Sequence, residues 1–201
     1  MKLIGTADRD TAHKEGLWHK AFHCWIVVRD PEPAVIFQLR SPDKSFFPNK
    51  FDITAAGHLS SGENSRDGLR ELEEELGVKV DFNKLVFLGT RTEVVRVGEV
   101  LNREFDDTFL LEDNRDLEEY ILQEEEVSGL VKVPIRDGLK LFGGEVDHLD
   151  VQGNRIIHGR VHITEFQLTR VDVIPRLDQN YYLKVFLAAQ GYLAGEKYLA
   201  I

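Results

Sequence analysis

Residues 70–78 run Arg-Glu-Leu-Glu-Glu-Glu-Leu-Gly-Val, and no other stretch limits what this chain can become so tightly. At about 100° per residue, Leu69, Leu72 and Leu76 share one side of a helix. Glu71, Glu74 and Glu75 share nearly the opposite side, because positions i, i+3 and i+4 are neighbours on a helix surface. Gly77 is placed to stop the helix in a left-handed cap. Like charges at i, i+4 spacing cost about 0.2–0.5 kcal/mol per pair, and acids in a last turn oppose the helix dipole. Such a stripe is either a solvated face or a grip for a hard divalent cation, which takes oxygen ligands.

The flanking segments predict strands on both sides of this helix. Ala21–Val28 (AFHCWIVV) is rich in aromatic and β-branched residues. A turn at Asp30–Pro33 leads to a second strand over Ala34–Leu39, which suggests a hairpin. Ser41–Lys50 is a loop, and Phe51–Ala56 a short strand delivering the chain to Gly57. Beyond the helix, Lys84–Thr92 and Glu93–Val100 are expected to pair, with a turn at Gly98. Strands over Asn102–Leu111 and Val127–Val133 follow, separated by an acidic loop at 113–126. Pro134–Phe142 begins another helix. Residues 144–174 suggest a hairpin turning at Gly153, and Asn180–Leu193 a C-terminal helix. Residues 1–18 are polar and are expected to form a short strand or extended arm. Strands around one amphipathic helix, with a later helix, indicate a layered α/β fold.

The 201 residues suit a single domain, with a core over about 18–143 and an extension over 144–201. A net charge of −10 argues against binding to a nucleic-acid polymer, which calls for a basic stripe. It leaves small anionic substrates open, because a divalent cation can mediate their binding. The single Cys24 excludes an internal disulfide and fits a reducing compartment; in its apolar run it reads as a buried, inert thiol. No stretch approaches the roughly 20 apolar residues of a membrane span, and no signal-peptide core opens the chain, so a cytoplasmic location is expected.

Gly57, five residues, Glu63, six residues, and then Arg70-Glu71-Leu72-Glu73-Glu74-Glu75-Leu76-Gly77-Val78 resemble the Nudix box of the Nudix hydrolases. The family places seven residues between that glutamate and the arginine; here there is one fewer. The resemblance implies an α/β/α sandwich around a mixed sheet with one catalytic loop-helix-loop. It implies a pyrophosphohydrolase that uses Mg²⁺ or Mn²⁺. Glu74 and Glu75 would be the principal metal ligands, with Glu71 a third ligand or the group that orients the base. The Gly57 carbonyl would add a ligand, Arg70 would pair with Glu71, and Glu63 would hold loop and helix in register. Such enzymes often use an acid from outside the box, and Glu104 is the candidate. On a strand, Glu104 and Asp106 point one way and Asp107 the other.

A second resemblance, to the isopentenyl-diphosphate isomerase branch, is carried by Arg40-Ser41-Pro42-Asp43-Lys44, by Pro48 and by Thr54-Ala55-Ala56-Gly57-His58. It implies that Arg40 and Lys44 contact the substrate's diphosphate, a bidentate fork beside a flexible point charge. It also implies a second metal site at His13, His19 and His58, with Glu104. Three positions depart from the branch. Ala56 stands where the isomerase has its proton-transfer cysteine, Asn102 replaces a second acid, and the gap between His13 and His19 is one residue short. Loss of the thiol removes a named acid/base group. The expected function is therefore metal-dependent hydrolysis of a nucleoside diphosphate linked to another moiety, or of a related organic diphosphate. The alternatives are the isomerase itself and a non-catalytic ligand-binding module. A homodimer is possible, and residues 144–201 would supply a lid, a substrate wall or a dimer surface.

Overall fold

In the computed structural model, which describes residues 3–201, the chain orders as α1 (Arg9–Glu15), β1 (Trp18–Val28), β2 (Ala34–Arg40), β3 (Phe51–Asp52), β4 (Ala55–His58), α2 (Leu69–Leu76), β5 (Val86–Val97), β6 (Val100–Glu112), β7 (Val127–Pro134), α3 (Ile135–Gly143), β8 (His148–Ile157), β9 (Arg160–Thr169) and α4 (Tyr181–Leu193). One mixed sheet runs in the order β5-β6-β1-β2-β7-β8-β9, with β3 paired to β2 and β4 to β1. Strands β1 and β6 are parallel, and their named neighbours pair antiparallel.

Period-2 alternation along β1 divides the core. Trp25 and Val27 join Val35 and Phe37 of β2 beneath Leu141 of α3 and Val185 and Phe186 of α4. Phe22, Cys24, Ile26 and Val28 point the other way and pack with Leu72 and Leu76 of α2. The sheet is thus covered on both faces, giving the three layers expected. Each fully buried large apolar side chain contributes about 1.5–3 kcal/mol. The Trp25 indole N–H donates to the Tyr181 hydroxyl at 2.9 Å, tying α4 to the central strand. Among the described residues no helix is long and apolar enough to cross a membrane.

Four local expectations are corrected. Residues 9–15 form a helix, not a strand or arm; residues 1 and 2 lie outside the described part. The Asp8 carboxylate accepts the Thr11 N–H at 2.9 Å, and Gly16 closes the helix at φ 63°, so both ends carry caps that the sequence displays. Phe51–Ala56 is two strands on different partners, and Thr54 between them accepts the Ile26 N–H at 3.0 Å. Glu93 does not start a new strand: β5 runs unbroken to Val97, and the hairpin turns at Gly98. Gly153 lies within β8, where a β-carbon would stand 2.4 Å from the Leu130 carbonyl oxygen; close strand approach, not a turn, accounts for it. That hairpin turns at His158 and Gly159, both at positive φ.

Candidate active site

The face of β1 that carries Trp25 also carries His19, Ala21 and His23 nearer its start, and there the sheet lies open as a cleft of about 440 Å³. His23 of β1, Gly57 and His58 of β4, and Glu104 of β6 enter it from the sheet. Helix α2 adds Arg70, Glu71, Glu74 and Glu75; the loop after β2 adds Lys44, Phe46 and Phe47. Almost every residue singled out in the sequence therefore meets in one place.

Burial divides the acidic stripe. Glu71 and Glu75 are 8% and 6% exposed, facing the sheet beside Leu72 and Leu76, whereas the Glu74 side chain is 59% exposed. The three acids do not share a single face opposite the leucines, because Glu71 and Glu75 flank the apolar stripe and lean toward β4, Glu71 against Gly57 and Glu75 on the Ala56 N–H. A β-carbon on Gly57 would stand 2.1 Å from the Glu71 carboxyl carbon, so only glycine admits that carboxylate. Arg70 forms an ion pair with Glu71, donates to the His58 carbonyl at 2.7 Å and reaches Glu63 at 3.3 Å. Glu63 also accepts the Ser60 N–H at 2.6 Å, so the shorter box loop still brings Glu63 to Arg70.

Burial raises the Glu71 carboxyl above its ordinary range; Arg70 pulls it down and Glu74 pushes it up. Burial raises Glu75 much further, and the Glu71 charge adds to it. Glu126, ahead of β7, joins these acids in the cleft and is paired with Lys44. Arg40 gives one N–H to Asp52 at 3.1 Å and two to the Phe46 carbonyl at 3.0 and 3.3 Å. Neither loop cation is a free solvated charge.

His13, His19 and His58 meet with ring centroids 4.7–5.4 Å apart, and one ligand nitrogen from each lies within 4.8 Å of the others. Helix α1, unforeseen in the sequence, is what delivers His13. The Glu104 carboxylate lies 2.6 Å from Nε2 of His58 and 3.8 Å from Nε2 of His19. Nδ1 of His19 is 2.9 Å from the Leu17 carbonyl, which makes Nδ1 the donor and leaves Nε2 a lone pair for the cluster. Burial lowers His13 and His19, and their mutual proximity to His58 lowers both further. Burial alone would raise Glu104, but the hydrogen bond and charge of His58 hold it well below the carboxylate range. Asp106 sits behind this group, 3.7 Å from His23 and raised by burial and by Glu104. Asp107 points away, as expected, and holds Ser65 and Thr90.

Comparison with known proteins assigns the family. The profile of the NUDIX domain matches residues 18–148. The chain belongs to the Nudix family. It is a Nudix hydrolase with a relative in Clostridium acetobutylicum, an uncharacterized Nudix hydrolase 36% identical over 190 residues that cover 94% of this chain and 91% of that one. A prenyl-diphosphate phosphatase of Methanosarcina mazei is 30% identical over 83 residues, 41% of this chain and 48% of that one. A MutT/nudix family protein from Enterococcus faecalis shares the fold at a TM-score of 0.54 and 11% identity, over 91% of this chain and 62% of its own.

Nudix hydrolases generally use divalent cations such as Mg²⁺ or Mn²⁺. The donor chemistry of the Nudix box suits them: the Glu71 and Glu75 carboxyls, drawn out of water and raised by burial, are stabilised by a hard dication, and Glu74 stands beside them at the cleft. The histidine cluster has a different character, imidazole with one carboxylate, which suits zinc or a transition metal. Sequence reasoning missed Glu126, Asp52, His23 and Arg176. His23 had a signal, since it follows His19 and Ala21 at period 2 on one strand face. Arg176 had none, because it meets Asp52 across 124 positions of chain.

Proposed function

We propose that this Nudix hydrolase cleaves the phosphoanhydride bond of an organic diphosphate lying between Arg40 and Lys44 on one side and the box carboxylates on the other. One observation carries the reading: the two loop cations and the buried acids of α2 line the same cleft. Glu71, Glu74 and Glu75, with the Gly57 carbonyl, would hold Mg²⁺ or Mn²⁺. When bound there, the cation supplies charge to the phosphoryl oxygens and makes water more acidic. Arg40 holds the diphosphate through the N–H groups that Asp52 and Phe46 leave free, and Lys44 reaches it by giving up its present partner Glu126. Arg70 fixes the Glu71 rotamer, so that Glu71 serves the cation or orients the base that takes the proton of the attacking water. Water adds to one phosphorus, the bridging P–O bond breaks, and the products are an organic monophosphate and a second phosphate group.

The clustered histidines support the isomerase-like branch, with His13, His19, His58 and Glu104 as a second metal site. They do not restore isomerisation. Ala56 lines the cleft where a thiol would be needed, and Cys24 is buried on the α2 side of the sheet. The Methanosarcina relative favours an organic diphosphate of the prenyl kind over a nucleoside-linked one.

A panel of prenyl diphosphates, nucleoside-diphosphate sugars and dinucleoside polyphosphates, read by phosphate release with Mg²⁺ and Mn²⁺, tests the proposal. Turnover of one class, lost in Glu74→Gln, is expected. Absence of cleavage across the panel, with ligand binding unchanged by Glu74→Gln, overturns it.

A further inference from the structure

Asp52 is 5% exposed and sits between two guanidinium groups. One oxygen accepts from Arg40 at 3.1 Å, and the other takes a short contact from Arg176. The three charges come from separate parts of the chain. Arg40 ends β2, Asp52 ends β3, and Arg176 lies in the segment between β9 and α4.

That segment is fastened to the core at several points. The Phe51 N–H donates to the Asp172 carbonyl at 2.8 Å, and the Ile174 N–H donates to the Phe51 carbonyl at 3.0 Å. The Leu177 N–H donates to Glu93 at 2.8 Å, and the Tyr182 hydroxyl donates to the Ile174 carbonyl at 2.7 Å. Arg176 is thereby carried into the cleft wall with a side chain only 7% exposed.

Electrostatics gives this placement a purpose. Arg40 beside Asp52 alone would be a neutral pair with little pull on an anion. With Arg176 satisfying the far oxygen of Asp52, the trio keeps one net positive charge. Arg40 uses one N–H on Asp52 and two on Phe46, so two of its five N–H groups remain for a ligand. Asp52 orients the fork, and Arg176 prevents Asp52 from cancelling it.

We infer that Arg176 is a positioning residue: acting through Asp52, it keeps the Arg40 guanidinium oriented and its charge uncancelled for the substrate's diphosphate. This gives the C-terminal extension a part in anion recognition, and it rests on the diphosphate reading above.

A double-mutant cycle tests the inference, using the full chain with Mg²⁺ and methylenediphosphonate, a diphosphate mimic that water cannot cleave, followed by isothermal calorimetry. Arg176→Gln should weaken binding by about tenfold, the scale of one lost charge-assisted interaction. Arg176→Lys should bind within about threefold of the wild type. Combining Arg176→Gln with Asp52→Asn should restore binding, because the uncompensated carboxylate is gone. A purely structural role or a direct contact would not be rescued in this way. Should Arg176→Gln alone fail to fold, the double variant is compared with the wild type, whose net charge at the trio is the same: affinity within about threefold supports the inference, and a double variant weaker by about tenfold overturns it. Wild-type affinity in Arg176→Gln also overturns it, while leaving the hydrolase reading intact if that variant still cleaves substrate. If the wild type neither binds the mimic nor cleaves any diphosphate, both readings fail together.

Discussion

The carboxyl carbon of Glu71 lies 2.1 Å from the point where a β-carbon on Gly57 would stand. The atoms that must yield to a methyl group there are the far end of a flexible side chain, so folding loses little. The chemistry loses more, because the same carboxylate is the one assigned to the cation. Gly57→Ala is expected to lower stability by about 1 kcal/mol, the low end of the cost of an added methyl group, because a side-chain end can yield. Its turnover should fall by about a hundredfold, the scale for a group displaced by ~1 Å. Thermal melts and steady-state kinetics on one preparation separate the two effects.

The raised carboxyl of Glu75 makes a prediction about pH. Its folded value lies well above the ordinary 4.5, so the native state retains a proton that the unfolded chain releases. Unfolding therefore becomes more favourable as pH rises from 4.5 toward that raised value, and nothing is lost below 4.5. Glu75→Gln removes the penalty. Without divalent metal, the variant should be more stable than the wild type by about 1 kcal/mol at pH 8, with the gap closing toward pH 4.5. Denaturant titrations across that range check it, and an advantage that grew on acidification would contradict it.

Much of this site can be read in the sequence, because its parts lie within short stretches. The box helix, the Arg40–Lys44 loop and the period-2 order of Glu104 and Asp106 are local patterns. The division of the box acids is not, since Glu71 packs against Gly57 and Glu75 accepts from the Ala56 N–H on β4, an approach the helical projection omits. Nor are the partners of Arg40 and Lys44, which lie 12 and 82 residues away on other elements. Helix α1 reads as a strand or arm in the sequence: it is too short and polar to carry an apolar stripe, and its signals are the Asp8 and Gly16 caps alone.

Trp25 and Tyr181 are 156 residues apart, and their hydrogen bond joins α4 to the middle of the sheet. Tyr181→Phe keeps the ring and leaves the buried indole N–H without its acceptor. The expected cost is about 1–3 kcal/mol. For a chain of this size that lowers the melting temperature by about 3–9 °C, measurable by calorimetry.

The histidine cluster should take a metal that the box does not prefer. Cobalt titrated into metal-free protein is expected to give a visible absorption band at about one equivalent, from nitrogen-rich coordination. The band should vanish in His58→Ala, while Mg²⁺ uptake at the box persists. A spectrum unchanged by His58→Ala would place the ion elsewhere.

Calorimetric titration of Mg²⁺ into the wild type and into Glu74→Gln/Glu75→Gln, alongside phosphate release from the best substrate of the panel, bears most directly on the whole account. Saturable uptake by the wild type, absent from the double variant together with turnover, is the result predicted. Equal uptake by both proteins, or full turnover in the double variant, would contradict the assignment of those buried carboxylates to the catalytic cation.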